Sequence, residues 1–177
     1  MSNKVELKGK CLCGAVKYKL SEKPLFTQAC HCKDCKVLTG SSYVINSSVV
    51  ENTLSTEGEI SSTIKLQAGS GKSVQMFFCN KCGSYIYTDY ESAIGRLNVR
   101  TKTLEKSEEF PPQAHIFTKD KDEWINLSNM NNCFEKMYDP KETWPKESLS
   151  RIKEYLNIKK WKISIIQIFI NLKLLSI

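Results

Sequence analysis

Apolar and polar residues alternate in short runs through the first two thirds of the chain. From Gly14 to Leu20, Val16, Tyr18 and Leu20 fall on one side, and Lys17 and Lys19 on the other. That period of two predicts a half-buried β-strand. Further β-rich runs cover residues 43–50, 63–66, 74–78, 85–90, 94–99, 115–118 and 123–127. Turn residues separate several of them: Glu57-Gly58-Glu59, Ala68-Gly69-Ser70-Gly71 and Pro111-Pro112. Short strands at this spacing, without strand–helix alternation, predict an all-β domain of antiparallel sheets over residues 1–127. Gly69-Ser70-Gly71-Lys72-Ser73 lacks the first glycine of a phosphate loop and reads as a hairpin turn.

The pattern changes after Leu127. Ser128 to Asn132 is polar and reads as a linker into a C-terminal extension, residues 128–177. Pro145 can open a helix, and Leu149, Ile152 and Leu156 recur at helical spacing. That short helix is expected to pack on the domain or to end it. Trp161 to Ile177 holds 11 large apolar residues, but its uncharged stretch, Ile163 to Leu172, is only ten residues long. A membrane span needs about 18–20. A tail helix or strand docked on the domain or on a partner is therefore preferred to membrane contact.

Composition narrows the class. The chain has 177 residues, 41% hydrophobic and 25% charged, which fits an ordinary globular chain and not disorder or a long coiled coil. The net charge is +7, divided as +3 over residues 1–127 and +4 over residues 128–177. If seven cysteines bound two zinc ions as thiolates, the first part would be about neutral. No nucleic-acid partner is expected on that ground. No apolar run near Met1 resembles a secretory signal peptide. A cytoplasmic, reducing compartment is therefore expected. There, eight cysteines point to thiolate metal ligation and not to a disulfide framework.

Seven of the cysteines form three clusters: Cys11-Leu12-Cys13-Gly14, Cys30-His31-Cys32-Lys33-Asp34-Cys35, and Cys79-Asn80-Lys81-Cys82-Gly83. Closely spaced cysteines bring sulfurs and backbone amides onto one ion, and the glycine that follows admits a left-handed turn. Thiolates favour zinc, although ligand type alone also admits iron. A closed structural site takes four ligands, which Cys11, Cys13, Cys79 and Cys82 would supply as two distant pairs. Cys30, Cys32 and Cys35 would remain as a triplet with an open fourth position, the pattern of a catalytic zinc. Spacing alone also allows other pairings, or a second structural site completed by His31, His115 or Cys133.

Together these segments resemble the glutathione-dependent formaldehyde-activating enzyme family, which includes centromere protein V. The resemblance rests on residues 9–18, on Cys30 to Cys35 with Gly40 beyond, and on Phe78 to Ser84. It continues with Val99 to Glu105 and with His115-Ile116-Phe117 followed by Trp124. It covers about residues 5–127. It implies a β-tent of antiparallel sheets pinned by zinc, with two Zn²⁺ per chain. It supports Cys11, Cys13, Cys79 and Cys82 as structural ligands and Cys30, Cys32 and Cys35 as ligands of the catalytic zinc. The implied activity is carbon–sulfur lyase chemistry on a thiol–aldehyde adduct such as S-(hydroxymethyl)glutathione, formed from glutathione and formaldehyde.

An open zinc site can lower a thiol's pKa or polarise an oxygen. Three thiolates weaken Lewis acidity, which favours thiol binding. His31 is an acid–base candidate by its ordinary pKa, but its place between two ligands is expected to turn its side chain from the metal. His115, in an apolar run, reads as structural. Arg96 and Arg100 could receive substrate carboxylates, with a solvated strand face as the plainer expectation. Cys133 reads as a free thiol. The alternative function is a non-catalytic, zinc-scaffolded protein-binding module. A methionine sulfoxide reductase-like reading would need a reactive cysteine outside the ligands, for which only Cys133 is available.

Overall fold

The computed structural model describes residues 5–69 and 71–174, with side chains through Trp161. The chain is mostly β. A small sheet joins β1 (Leu7–Lys10), β2 (Lys17–Leu20) and β5 (Leu54–Glu57), all antiparallel. In β2 the expected alternation holds: Tyr18 and Leu20 are buried and Lys17 and Lys19 exposed.

A nine-stranded sheet holds the other strands: β3 (Phe26–Cys30), β4 (Val44–Val50), β6 (Ile60–Ser62), β7 (Leu66–Gln67), β8 (Ser73–Cys79), β9 (Tyr85–Tyr90), β10 (Arg96–Arg100), β11 (Ala114–Ile116) and β12 (Cys133–Phe134). The order is β12-β11-β3-β4-β10-β9-β8-β6, with β7 also on β8. Most pairings are antiparallel, but β11 runs parallel to both β3 and β12, which departs from the wholly antiparallel expectation. The cause is a long connection from β10 that carries the chain back across the sheet before β11.

Two further strand expectations differ. Thr63 to Lys65 interrupts the ladder between β6 and β7. Residues 123–127 form a turn and coil instead of a strand. There the Ile125 amide bonds back to Asp122, and Lys36 fixes the Asp120 carbonyl and the Asp122 carboxylate. Conversely, β3 shows no alternation because all five of its residues are buried. Such two-sided burial leaves no polar face for a periodic signal.

Two hydrophobic cores result. One gathers Val16, Tyr18, Leu20, Val49, Ile86, Val99 and Leu104 around Cys11 and Cys79. The other gathers Leu25, Phe26, Val44, Ile116, Tyr138 and Trp144 around Cys30 and Cys35. Each core thus contains one group of cysteines.

The C-terminal segment completes the second core. It comprises β12, α2 (Pro140–Thr143) and α3 (Lys146–Leu174), which starts just after Pro145 as the sequence suggests. Trp144 stacks on Phe26 with ring centroids 5.8 Å apart, and its indole donates to the Tyr138 hydroxyl at 2.9 Å. Tyr138 donates to Gln28 of β3. On α3, Ser148 donates to the Leu25 carbonyl at 2.6 Å, and Arg151 pairs with Glu22 at 2.6 Å. Tyr155 and Lys159 both meet Glu51 at 2.5 Å. The helix continues through Leu174, while the tail's side-chain docking lies outside the described residues. Among the described residues, no helix is long and apolar enough to cross a membrane.

Candidate metal centres

The first site begins at two turns. β1 leads into Cys11, whose amide bonds the Val16 carbonyl at 3.0 Å. β8 ends at Cys79, whose amide bonds the Ser84 carbonyl at 2.9 Å. Gly14 and Gly83 close these turns at φ 74° and 69°, a conformation glycine adopts without strain. The Ser84 hydroxyl joins the turns by accepting the Leu12 amide at 3.0 Å. As a result, the sulfurs of Cys11, Cys13, Cys79 and Cys82 lie within 4.8 Å of one another. A tetrahedral zinc with Zn–S bonds of about 2.3 Å would separate its sulfurs by about 3.8 Å. The Cys11–Cys13 and Cys13–Cys79 separations of 3.5 and 3.9 Å suit that geometry. The Ser84 hydroxyl, then the amides of the Cys13 and Ser84 turns, hold the Cys82 thiol down at about 5.

The second site lies at the junction of β3 and α1 (Lys33–Thr39). Cys30 closes the strand. Cys32 caps the helix, its sulfur accepting the Cys35 amide at 3.4 Å. Cys35 faces inward from the first turn, and the three sulfurs again lie within 4.8 Å. Hydrogen bonds from the Cys30 and Cys35 thiols, then from the Cys35 and Asp34 amides, hold Cys32 far below the ordinary thiol range. Donation to those neighbours and burial push Cys30 up. The cluster therefore stabilises thiolate at the capping position. Among the described residues, no fourth histidine, cysteine or carboxylate joins these three sulfurs.

The other candidates fall elsewhere. His31 is fully buried, and its Nε2 lies 3.1 Å from Nδ1 of His115. Its own Nδ1 has no hydrogen-bond partner. Burial, then the nearby His115 and Lys36 charges, depress His31 to about 4. Cys133 is exposed, and its thiol donates to the Met130 carbonyl at 3.6 Å. It belongs to neither sulfur cluster.

The arginines correct the expectation of a solvated face. Arg100 is 5% exposed. It donates to Asn46 and, at 3.1 Å, to Thr88, and its guanidinium lies 3.7 Å from the centre of the Tyr85 ring. Arg96 is half-buried, 4.9 Å from the Trp144 ring centre. Sequence reading missed Asn46, Tyr85, Thr88 and Trp144 as neighbours. For Asn46, Tyr85 and Thr88 the only available signal was a polar or aromatic character within β-rich runs, whereas Trp144 follows α2 in the C-terminal segment.

A mostly β chain with two convergent cysteine clusters defines a class of cysteine-rich proteins equipped to bind soft divalent metal. Residues 6–120 match the family model described as glutathione-dependent formaldehyde-activating enzyme, and the chain belongs to this family. No curated protein matches it. Among solved structures, a Rhodobacter sphaeroides protein is 19% identical, with a TM-score of 0.45, over 72% of this chain and 98% of that one.

Proposed function

We propose that the protein is a zinc-dependent carbon–sulfur lyase that joins a thiol to an aldehyde, or splits the adduct, with glutathione and formaldehyde as the substrate pair. The observation that carries this reading is the triplet. Cys30, Cys32 and Cys35 converge while leaving a tetrahedral ion one position short. The four-cysteine cluster, by contrast, fills all four positions and serves as the structural centre. The family supports the choice of thiol and aldehyde.

Zinc at the triplet, when bound, would supply stabilisation of a thiolate or polarisation of an oxygen. Cys30, Cys32 and Cys35 would hold it. In the forward direction the substrate sulfur forms a bond to the carbonyl carbon, the carbon–oxygen π bond breaks, and the thiol proton ends on oxygen. The reverse reaction restores thiol and aldehyde, so no oxidant or reductant is consumed. His31 is enclosed against His115, which favours a packing role between two ligands over proton exchange with substrate. The half-buried Cys32 is the triplet's approach from solvent.

The test is magnetisation-transfer NMR on glutathione and formaldehyde with catalytic amounts of the full chain. Exchange between free formaldehyde and the adduct should accelerate in proportion to protein. No acceleration by protein carrying two zinc ions would overturn the lyase reading and favour a metal-scaffolded binding module.

A further inference from the structure

Arg100 is a buried cation without a carboxylate. Among the described residues, no ion pair includes it. Its two terminal nitrogens reach only the neutral side chains of Asn46 and Thr88, and its Nε has no hydrogen-bond partner. The Tyr85 ring beneath it offsets part of the desolvation cost, but a cation taken out of water calls for an anion.

The sheet register places the sulfur triplet on the same face as Arg100. Arg100 pairs with Asn46, and Asn46 with Gln28. Gln28 is two residues before Cys30, so both point to one face of the sheet. Arg100 therefore projects over the face from which Cys30 emerges.

We infer that Arg100 is the fixed counter-charge of the triplet, making three thiolates plus one divalent ion electrically neutral within the buried core. Three thiolates contribute −3, a divalent ion +2 and the guanidinium +1. Arg100 is thus a positioning residue that favours retention of a divalent ion. This assignment differs from a carboxylate-binding role, because both ends of its fork are already engaged. It rests on the reading that the triplet holds metal.

The experiment uses the full chain loaded with cobalt in place of zinc, challenged with a chromophoric chelator. The four-cysteine site's cobalt spectrum serves as the internal check on folding. Arg100→Met is expected to release the triplet cobalt about tenfold more readily, the scale of one lost charge interaction near a partly buried site. The four-cysteine cobalt should be unchanged. Arg100→Lys, which keeps the charge, should recover most of the retention. If Arg100→Met disturbs the four-cysteine spectrum, Arg100→Gln supplies the same neutral comparison while keeping a donor for Asn46.

Equal retention by the neutral variant and wild type would overturn the inference. So would a lysine variant as weak as the neutral one, because packing and not charge would then be responsible. A wild-type chain that never takes a second cobalt would overturn the metal reading of the triplet and this inference with it.

Discussion

The two cysteine clusters share a sulfur spacing, and each holds two buried cysteines; they differ in ligand number and in what surrounds them. The group of four sits between two turns, with Cys13 exposed and Cys82 half-buried. Its core is assembled within the β-rich part of the chain. The group of three lies at a strand–helix junction, with two sulfurs buried. Its core is closed by Tyr138, Trp144 and the start of α3, beyond the residues the family model matches. Solvent can disperse the charge of the first group, whereas the second shares its sheet face with a buried arginine. A complete ligand set suits a staple between distant segments. An incomplete set in a shielded core suits chemistry.

The sharpest way to break this comparison is to remove one ligand from each group. Cys82→Ser should unfold the chain or nearly so, because structural zinc binding contributes on the order of 10 kcal/mol to such folds. A circular-dichroism melt resembling wild type would refute its role as a staple. Cys35→Ser should keep the melt close to wild type and lower adduct exchange by about a thousandfold, roughly 4 kcal/mol of barrier. Retained exchange in this variant would mean that the triplet is not the working site.

The contribution of the C-terminal segment is testable next. Trp144→Ala removes the ring stacked on Phe26 and leaves Tyr138 without its indole donor. A loss of about 3 kcal/mol is expected in urea denaturation. Metal release should quicken at the triplet and not at the group of four. Equal effects on both sites would show that the cores are not separable.

The smallest effect concerns the latch on α3. Burial raises the Glu51 carboxyl, but hydrogen bonds from Lys159 and Tyr155 outweigh it, so it titrates below its ordinary 4.5. A carboxylate depressed on folding stabilises the native state above its unfolded pKa and loses that contribution as pH falls through the folded one. Glu51→Gln should therefore cost about 0.5–1 kcal/mol at neutral pH. The difference from wild type should shrink as pH falls below 4.5. A gap in melting temperature that stays constant through that range would contradict the assignment.

The parts legible in the sequence were those written in local spacing. Cysteines two or three residues apart announce their turns, and the Lys17–Leu20 alternation announces β2. The grouping of Cys11 and Cys13 with Cys79 and Cys82 followed from counting ligands, and the geometry brings those sulfurs together. By contrast, β3 was silent because both its faces are covered. The burial of Arg100 depends on strand pairings across 54 residues, which no local window contains. The same holds for Trp144, whose place in the triplet's core is set by contacts with Phe26 and Tyr138.

The most direct measurement is zinc per chain, followed by its release to a competing chelator. Two zinc ions leaving in two phases are expected, with the fast phase alone lost in Cys35→Ser and both phases lost in Cys82→Ser. A single zinc, or two released in one phase that both variants disturb equally, would contradict the division into a structural and a working centre.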